Sequence, residues 1–181
     1  MKAFKEYVIP FVGLKQGIHQ FDYQIDNEFL GLFDFEEYNS ANVKVALEFN
    51  KKSTFFELRF KAEGSVNVDC DVTTEPFDLP INNELFIVVK FGNEFNNENE
   101  EIIIIPHGSY EVNVSQYIYE CIVLAVPSKR VHPGVEDGTL ESDILEHLET
   151  LAPKETKEES KNEEDIDPRW NKLKNLLKDN K

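Results

Sequence analysis

The chain has 181 residues and a formal net charge of -16, with 40% hydrophobic and 12% aromatic residues, most of the aromatics being Phe. This composition suits a folded body and excludes disorder along most of the length, while two cysteines are too few for a disulfide framework. So large an excess of acid opposes contact with naked nucleic acid unless the cations gather on one face, and makes a basic protein the better electrostatic match.

The N-terminus enters strand-like alternation without an apolar signal core, and no window approaches the roughly 18 apolar residues of a membrane span. A cytoplasmic protein is expected, with Cys70 and Cys121 kept as thiols. Lys5 to Phe11 reads as a strand, Val12 to Gly17 as a turn, and His19 to Ile25 as a second strand with His19, Phe21, Tyr23 and Ile25 on one face, which together predict an opening hairpin. Asp26, Asn27 and Glu28 then cap a short helix through Phe29, Leu30, Leu32 and Phe33.

A meander of three strands follows. Asn42 to Phe49 carries Val43, Val45, Leu47 and Phe49 on one face, Phe55 to Ala62 carries Phe56, Leu58 and Phe60, and Val66 to Thr73 carries Val66, Val68, Cys70 and Val72. Short turns at Asn50 to Ser53 and at Glu63-Gly64 force antiparallel neighbours. Ile81 to Phe91 is a further strand with Leu85, Ile87 and Val89 together. The sheet is read as open or curling toward a barrel. Gly92 to Glu101 has no periodicity and reads as a solvated loop, and Ile102 to Ile105 is a short buried strand stopped by Pro106 that needs cover on both faces.

That cover is expected from a helix in which Asn113 and Gln116 resemble a capping pair and Val114, Ile118, Cys121, Ile122 and Ala125 recur at helical spacing until Pro127. The segment from Ser128 through Gly138 is polar and turn-rich. Leu140, Ile144, Leu148 and Leu151 then mark an amphipathic helix ended by Pro153. Three parts result: an α+β domain over 1–152, mainly antiparallel sheet packed by one or two helices; an acidic linker over 153–166 with the composition of a flexible tether; and a basic amphipathic helix over 167–181. In the last, Asp167 is the N-cap, Pro168 the first helical residue, and Trp170, Leu173, Leu176 and Leu177 share a face beside Arg169, Lys172, Lys174 and Lys178. That helix either covers its own body or lies in a groove of another protein.

The run Cys70-Asp71-Val72-Thr73-Thr74-Glu75-Pro76-Phe77 resembles the Cys-Asp-Arg-Cys-Leu-Glu-Pro-Phe signature of the YceD family, the large ribosomal RNA subunit accumulation proteins. Supporting matches are Leu14 to Phe21, Tyr117 to Pro127, and Asp167-Pro168-Arg169-Trp170-Asn171-Lys172-Leu173. The resemblance implies a factor supporting accumulation or processing of the large-subunit (23S) ribosomal RNA. In many members the region after the helix carries further cysteines that suggest a metal site, whereas this chain has none there and holds Thr73 where the signature has its second cysteine.

The chemistry is correspondingly sparse. Cys70 without a second thiolate lacks the pair that holds zinc and reads as core packing, and His19 has no metal-type partner at a recognisable spacing. His107, His132 and His147 lie in different segments, and no Ser-His-Asp, His-x-Glu or phosphate-loop pattern occurs. Asn113-Val114-Ser115 matches a glycosylation triplet that has no meaning in the cytosol. Neither a metal nor a cofactor is expected, and no catalytic residue is assigned. The expected function is a binding module whose signature residues are Cys70, Asp71, Glu75, Pro76 and Phe77. Its partner-binding residues are Asp167, Pro168, Arg169, Trp170, Leu173 and Leu177, and its partner is a basic ribosomal protein or a precursor of the large subunit. The alternatives from other classes are a small metal-dependent or nucleolytic enzyme acting on precursor RNA, which needs clustered His and carboxylates, and an adaptor in an unrelated complex.

Overall fold

Alternation of apolar and polar residues builds one face of a sheet that side chains can fill. The computed structural model describes residues 3–99 and 101–151. In β3 (Ser40–Lys51), Ala41, Val43, Val45, Leu47 and Phe49 are buried while the residues between them turn outward, and in β4 (Phe55–Asp69) Phe56, Leu58, Phe60, Ala62, Val66 and Val68 do the same. Fully buried Phe49 and Phe60 each contribute about 1.5–3 kcal/mol by leaving water.

The main sheet has five strands in the order β2-β3-β4-β5-β6, where β2 is Gly17–Ile25, β5 is Pro76–Gly92 and β6 is Ile102–Pro106. All pairings are antiparallel except β5 with β6. The architecture is α+β as expected, but the sheet stays open and does not close into a barrel. Its inner face is covered by α1 (Asn27–Gly31), by α2 (Ser115–Val123), which lies against β4 and β5, and by the aromatic residues of the N-terminal segment. Tyr119 of α2 stacks on Phe33 with ring centroids 4.5 Å apart. The outer face of the sheet is mostly polar, with Ile18 and Phe86 the large apolar residues exposed on it.

Several sequence expectations are corrected. No opening hairpin forms: residues 3–7 and 11–13 are 3-10 turns, and β1 (Val8–Ile9) pairs with β7 (Val112–Asn113) rather than with β2. Strand β2 instead pairs with β3 along its whole length. The turn expected at Glu63-Gly64 does not exist, because β4 runs unbroken from Phe55 to Asp69 and pairs with β3 on one side and β5 on the other. Gly64 is required for close approach rather than for turning: a Cβ there would overlap the Asn42 carbonyl oxygen and come within 2.7 Å of Val43 Cα. The strand expected to reach Thr73 ends at Asp69.

The helix cap also differs. Asn113 accepts the Ser115 N–H at 2.9 Å, but Gln116 bonds forward to Glu120 at 2.8 Å rather than completing a capping box. The predicted cap of α1 is present, with Asp26 Oδ1 accepting from the N–H groups of Glu28 and Phe29 at 3.0 and 3.2 Å. Strand β6 lies at the sheet's edge with Ile103 and Ile105 buried and Ile102 and Ile104 half-buried, so full cover on both faces is not required. The segment read only as turn-rich contains a short helix, α3 (Pro133–Glu136), with His132 as its cap.

Residues Met1–Ser142 form one compact unit; α4 (Asp143–Leu151) belongs to a second, and on it Ile144, Leu148 and Leu151 are exposed. The expected linker at 153–166 and helix at 167–181 lie outside the described residues.

Candidate functional site: the signature turn

The reversal from β4 into β5 is made by six residues, Cys70 to Glu75. Cys70 N–H donates to the Glu75 carbonyl at 2.9 Å and Thr74 N–H to the Cys70 carbonyl at 2.8 Å, which closes the turn at both levels. Thr74 takes a left-handed backbone with φ of 59°, a strained conformation for a β-branched residue. Thr73 is buried, and its hydroxyl oxygen accepts from Glu75 N–H at 3.4 Å. Pro76 then opens β5 opposite Asp69, where its missing N–H breaks no ladder bond, and Phe77 is buried.

The turn holds a distant segment. Asp71 N–H donates to the Arg130 carbonyl at 2.8 Å, Arg130 N–H returns a bond to Asp71 Oδ2 at 2.6 Å, and the guanidinium lies 3.7 Å from Asp71 Oδ1. Two residues further on, His132 N–H donates to Cys70 Sγ at 3.3 Å. The His132 ring packs edge-on against Phe77 with centroids 5.3 Å apart, and its Nδ1 accepts the Gly134 N–H at 2.9 Å to start α3. Gly134 is buried with Leu140 Cβ against it, so any side chain there would meet the His132 ring 3.0 Å away. The signature is thus a staple: Cys70, Asp71 and Phe77 each grip one feature of residues 130–132.

The sulfur is almost fully covered. Burial pushes the Cys70 thiol up, but the His132 N–H, the Thr73 hydroxyl and N–H and the Val72 N–H outweigh it and leave the pKa at about 7. Cys121, deep under the sheet, shows the opposite balance: burial dominates and its pKa rises to about 11.

This donor set does not fit a metal. Cys70 supplies one thiolate, Thr73 offers a neutral hydroxyl in place of a second, residues 130–132 give the sulfur only a backbone N–H, and the His132 Nδ1 is committed to Gly134. Among the described residues no group of three or more His, Cys, Asp or Glu side chains is placed to hold a metal ion.

The structure brings Cys70, Asp71, Glu75, Pro76 and Phe77 together with Thr73, which stands in place of the second signature cysteine, and adds Arg130, His132 and Gly134, which sequence reasoning did not single out as site residues. Arg130 and His132 act largely through main-chain groups that leave no pattern in side-chain identities, and the only local signal was Pro133-Gly134 after them. The ring of His19 bonds to the Lys15 carbonyl at 2.8 Å. The other predicted site residues, Asp167, Pro168, Arg169, Trp170, Leu173 and Leu177, lie outside the described residues. Elsewhere, a recess of about 400 Å³ is lined mainly by Phe4, Phe33, Phe95, Ile103, Ile105 and Tyr117 and holds one carboxylate, Glu111. Among the described residues no helix is long and apolar enough to cross a membrane.

A family model described as large ribosomal RNA subunit accumulation protein YceD matches residues 58–177, which is 120 of the 181 residues and includes the whole signature turn and the segment it holds. No curated protein and no solved structure matches the chain significantly. With two-thirds of its length under that model, the chain belongs to the YceD family of large ribosomal RNA subunit accumulation proteins.

Proposed function

We propose that this protein is a non-enzymatic cytoplasmic factor in large-subunit assembly that supports 23S ribosomal RNA by binding a basic ribosomal protein, free or on a precursor particle. Beyond family membership, the observation that carries this reading is charge: residues 1–142 hold 24 Asp and Glu against 11 Lys and Arg. A phosphate backbone is repelled by such a surface, whereas a ribosomal protein awaiting its RNA has the opposite sign and needs shielding. The basic segment 167–181 supplies the anchor, with Asp167 and Pro168 starting a helix, Arg169 beside it, and Trp170, Leu173 and Leu177 forming the apolar contact. The signature turn serves as scaffold for the loop that leads toward that segment. No metal enters the mechanism.

The test is titration of the purified protein against naked large-subunit RNA and against individual basic ribosomal proteins at low and high salt. Binding to a ribosomal protein that weakens steeply with salt is expected. Tight, sequence-selective binding to the naked RNA, with no affinity for any ribosomal protein, overturns the reading. Cosedimentation with large-subunit precursors on gradients is the complementary measurement.

A further inference from the structure

The five-stranded sheet guards its exposed backbone unevenly. Along the outer edge of β6, Asn96 exchanges two main-chain bonds with Ile104, at 2.8 and 3.0 Å, and Pro106 has no N–H to offer. The half of β5 that extends past β6 carries Pro76 and Pro80. Strand β2 at the opposite edge is nine residues long and has no Pro, Lys or Arg and no bulge in its pairing, the usual devices that keep a free edge from recruiting another strand.

Which groups are free follows from the register. Lys52 N–H donates to the Phe55 carbonyl at 3.0 Å, so even-numbered residues of β3 bond toward β4 and odd-numbered ones toward β2. Through the β2–β3 pairing, Gly17, His19, Phe21, Tyr23 and Ile25 bond inward. Ile18, Gln20, Asp22 and Gln24 therefore turn both N–H and C=O outward, and among the described residues no main-chain partner meets them.

The surroundings select the occupant. From residue 16 to residue 43 the chain has no Lys or Arg and six carboxylates, Asp22, Asp26, Glu28, Asp34, Glu36 and Glu37, all exposed. On the inner side of the edge, Phe21 and Tyr23 are only half-buried, because no further strand covers them. On the outer side the sheet is hollowed around Ala46, a depression of about 520 Å³ lined by Asp22, Gln24, Lys44, Lys61 and Glu63. Its two cations stand on β3 and β4, and Lys61 is paired with Glu63 at 2.7 Å. A second copy of this chain would bring six more carboxylates to the same line, so self-pairing is disfavoured by charge.

We propose that the free edge of β2 accepts an extended Lys- and Arg-rich segment of a protein partner as a sixth strand. This rests on the reading of the partner as a basic protein and names the place where it docks. The segment alternates: residues opposite Gln20, Asp22 and Gln24 are basic and lie on the outer face, and residues opposite His19, Phe21 and Tyr23 are apolar and extend the inner face. Strand β2 precedes the residues matched by the family model.

The experiment uses the full-length protein, isotope-labelled for NMR, and a peptide of about eight residues alternating Lys and Val, long enough to span most of β2. The control is the same peptide N-methylated at the alternate amides that would bond, which keeps its charge but cannot form a ladder. The parent peptide should slow amide exchange at Ile18, Gln20, Asp22 and Gln24 by about tenfold or more, and the methylated one should not. Gln20→Pro removes an N–H that bonds nothing within the fold, and Asp22→Lys reverses the charge at the centre of the edge; each should weaken the parent peptide about tenfold or more. Circular dichroism and urea midpoints establish that the variants are folded. Asp22→Lys and the methylated peptide decide the matter if Gln20→Pro does not fold. Binding with protection elsewhere, or binding indifferent to methylation, overturns this site but leaves the basic-partner reading standing. Protection of the four amides in the free protein, by a second copy or by its own chain, overturns it too. Failure of the peptide and of every basic ribosomal protein to bind overturns both.

Discussion

Replacing Cys70 by Ala removes the sulfur on which the signature turn and the 130–132 segment meet. Two costs add. Taking a buried sulfur away loses burial comparable to a methylene and leaves a small cavity, about 1 kcal/mol. It also leaves the His132 N–H, now 3.3 Å from Sγ, without an acceptor in a covered position, a further loss of about 1–2 kcal/mol. The total of about 2–3 kcal/mol corresponds to a fall in Tm of roughly 5–10 °C for a domain of this size. The loss depends on pH. Because the folded thiol pKa is lowered from 9.0 to about 7, the thiolate's contribution is absent below about pH 7, grows between 7 and 9 and is complete above 9. The gap between wild type and Cys70→Ala should therefore widen as pH rises through that window, an effect that Cys70→Ser, lacking a titrating thiol, should not restore. Urea unfolding of the three proteins at about pH 6 and about pH 9 measures this. A gap under about 0.5 kcal/mol at both pH values, or one that narrows with rising pH, refutes the reasoning about the sulfur's donors. A Cys70→Ala protein that is stably folded yet fails to support large-subunit RNA accumulation would show that the thiol does more than hold the turn.

Gly64→Ala should cost about 2–3 kcal/mol in urea unfolding although the residue is exposed, because the new Cβ meets main-chain atoms of Asn42 and Val43 that cannot swing away; an unchanged midpoint would show that β3 and β4 relax apart at no expense. Asp71→Ala should leave global stability within about 1 kcal/mol but speed amide exchange at Arg130 and His132, since it removes the acceptor of the Arg130 N–H; equal loss across all strands would contradict a local staple. Trp170→Ala should raise the dissociation rate from a basic ribosomal protein more than it lowers the association rate, as a truncated apolar anchor does, and stopped-flow measurement at two salt concentrations separates the two. An effect confined to association would assign Trp170 a different role.

Much of the sheet was legible in the sequence because a half-buried strand writes its facing into alternate residues. The faces of β3, β4 and β5 carry the residues read for them, and Asp26 caps α1 through the donors that its spacing before Phe29 requires. The misreadings arise where a partner distant in sequence decides the outcome, and glycine marks a local backbone requirement without saying which. At Gly64 the requirement is a neighbouring strand's carbonyl pressed against the backbone, a contact with a residue 22 positions earlier, so a turn and an uninterrupted strand look alike along the chain. At Val8–Ile9 the alternation was real, but the partner is at 112–113, and pairing over such a separation leaves no local trace.

The sequence by itself determined that this is an acidic α+β protein with a Cys70-to-Phe77 signature, because composition, period and motif are properties of residues taken in order. Only the tertiary structure decided what the signature does. Asp71 and Cys70 reach across 59 and 62 positions to main-chain groups of Arg130 and His132. A main-chain N–H is the same at every residue except proline, so the sequence could not nominate those two. The same holds for the edge of β2: being outermost in a sheet is a matter of which strands are absent beside it, and that is fixed by the packing of all five strands together.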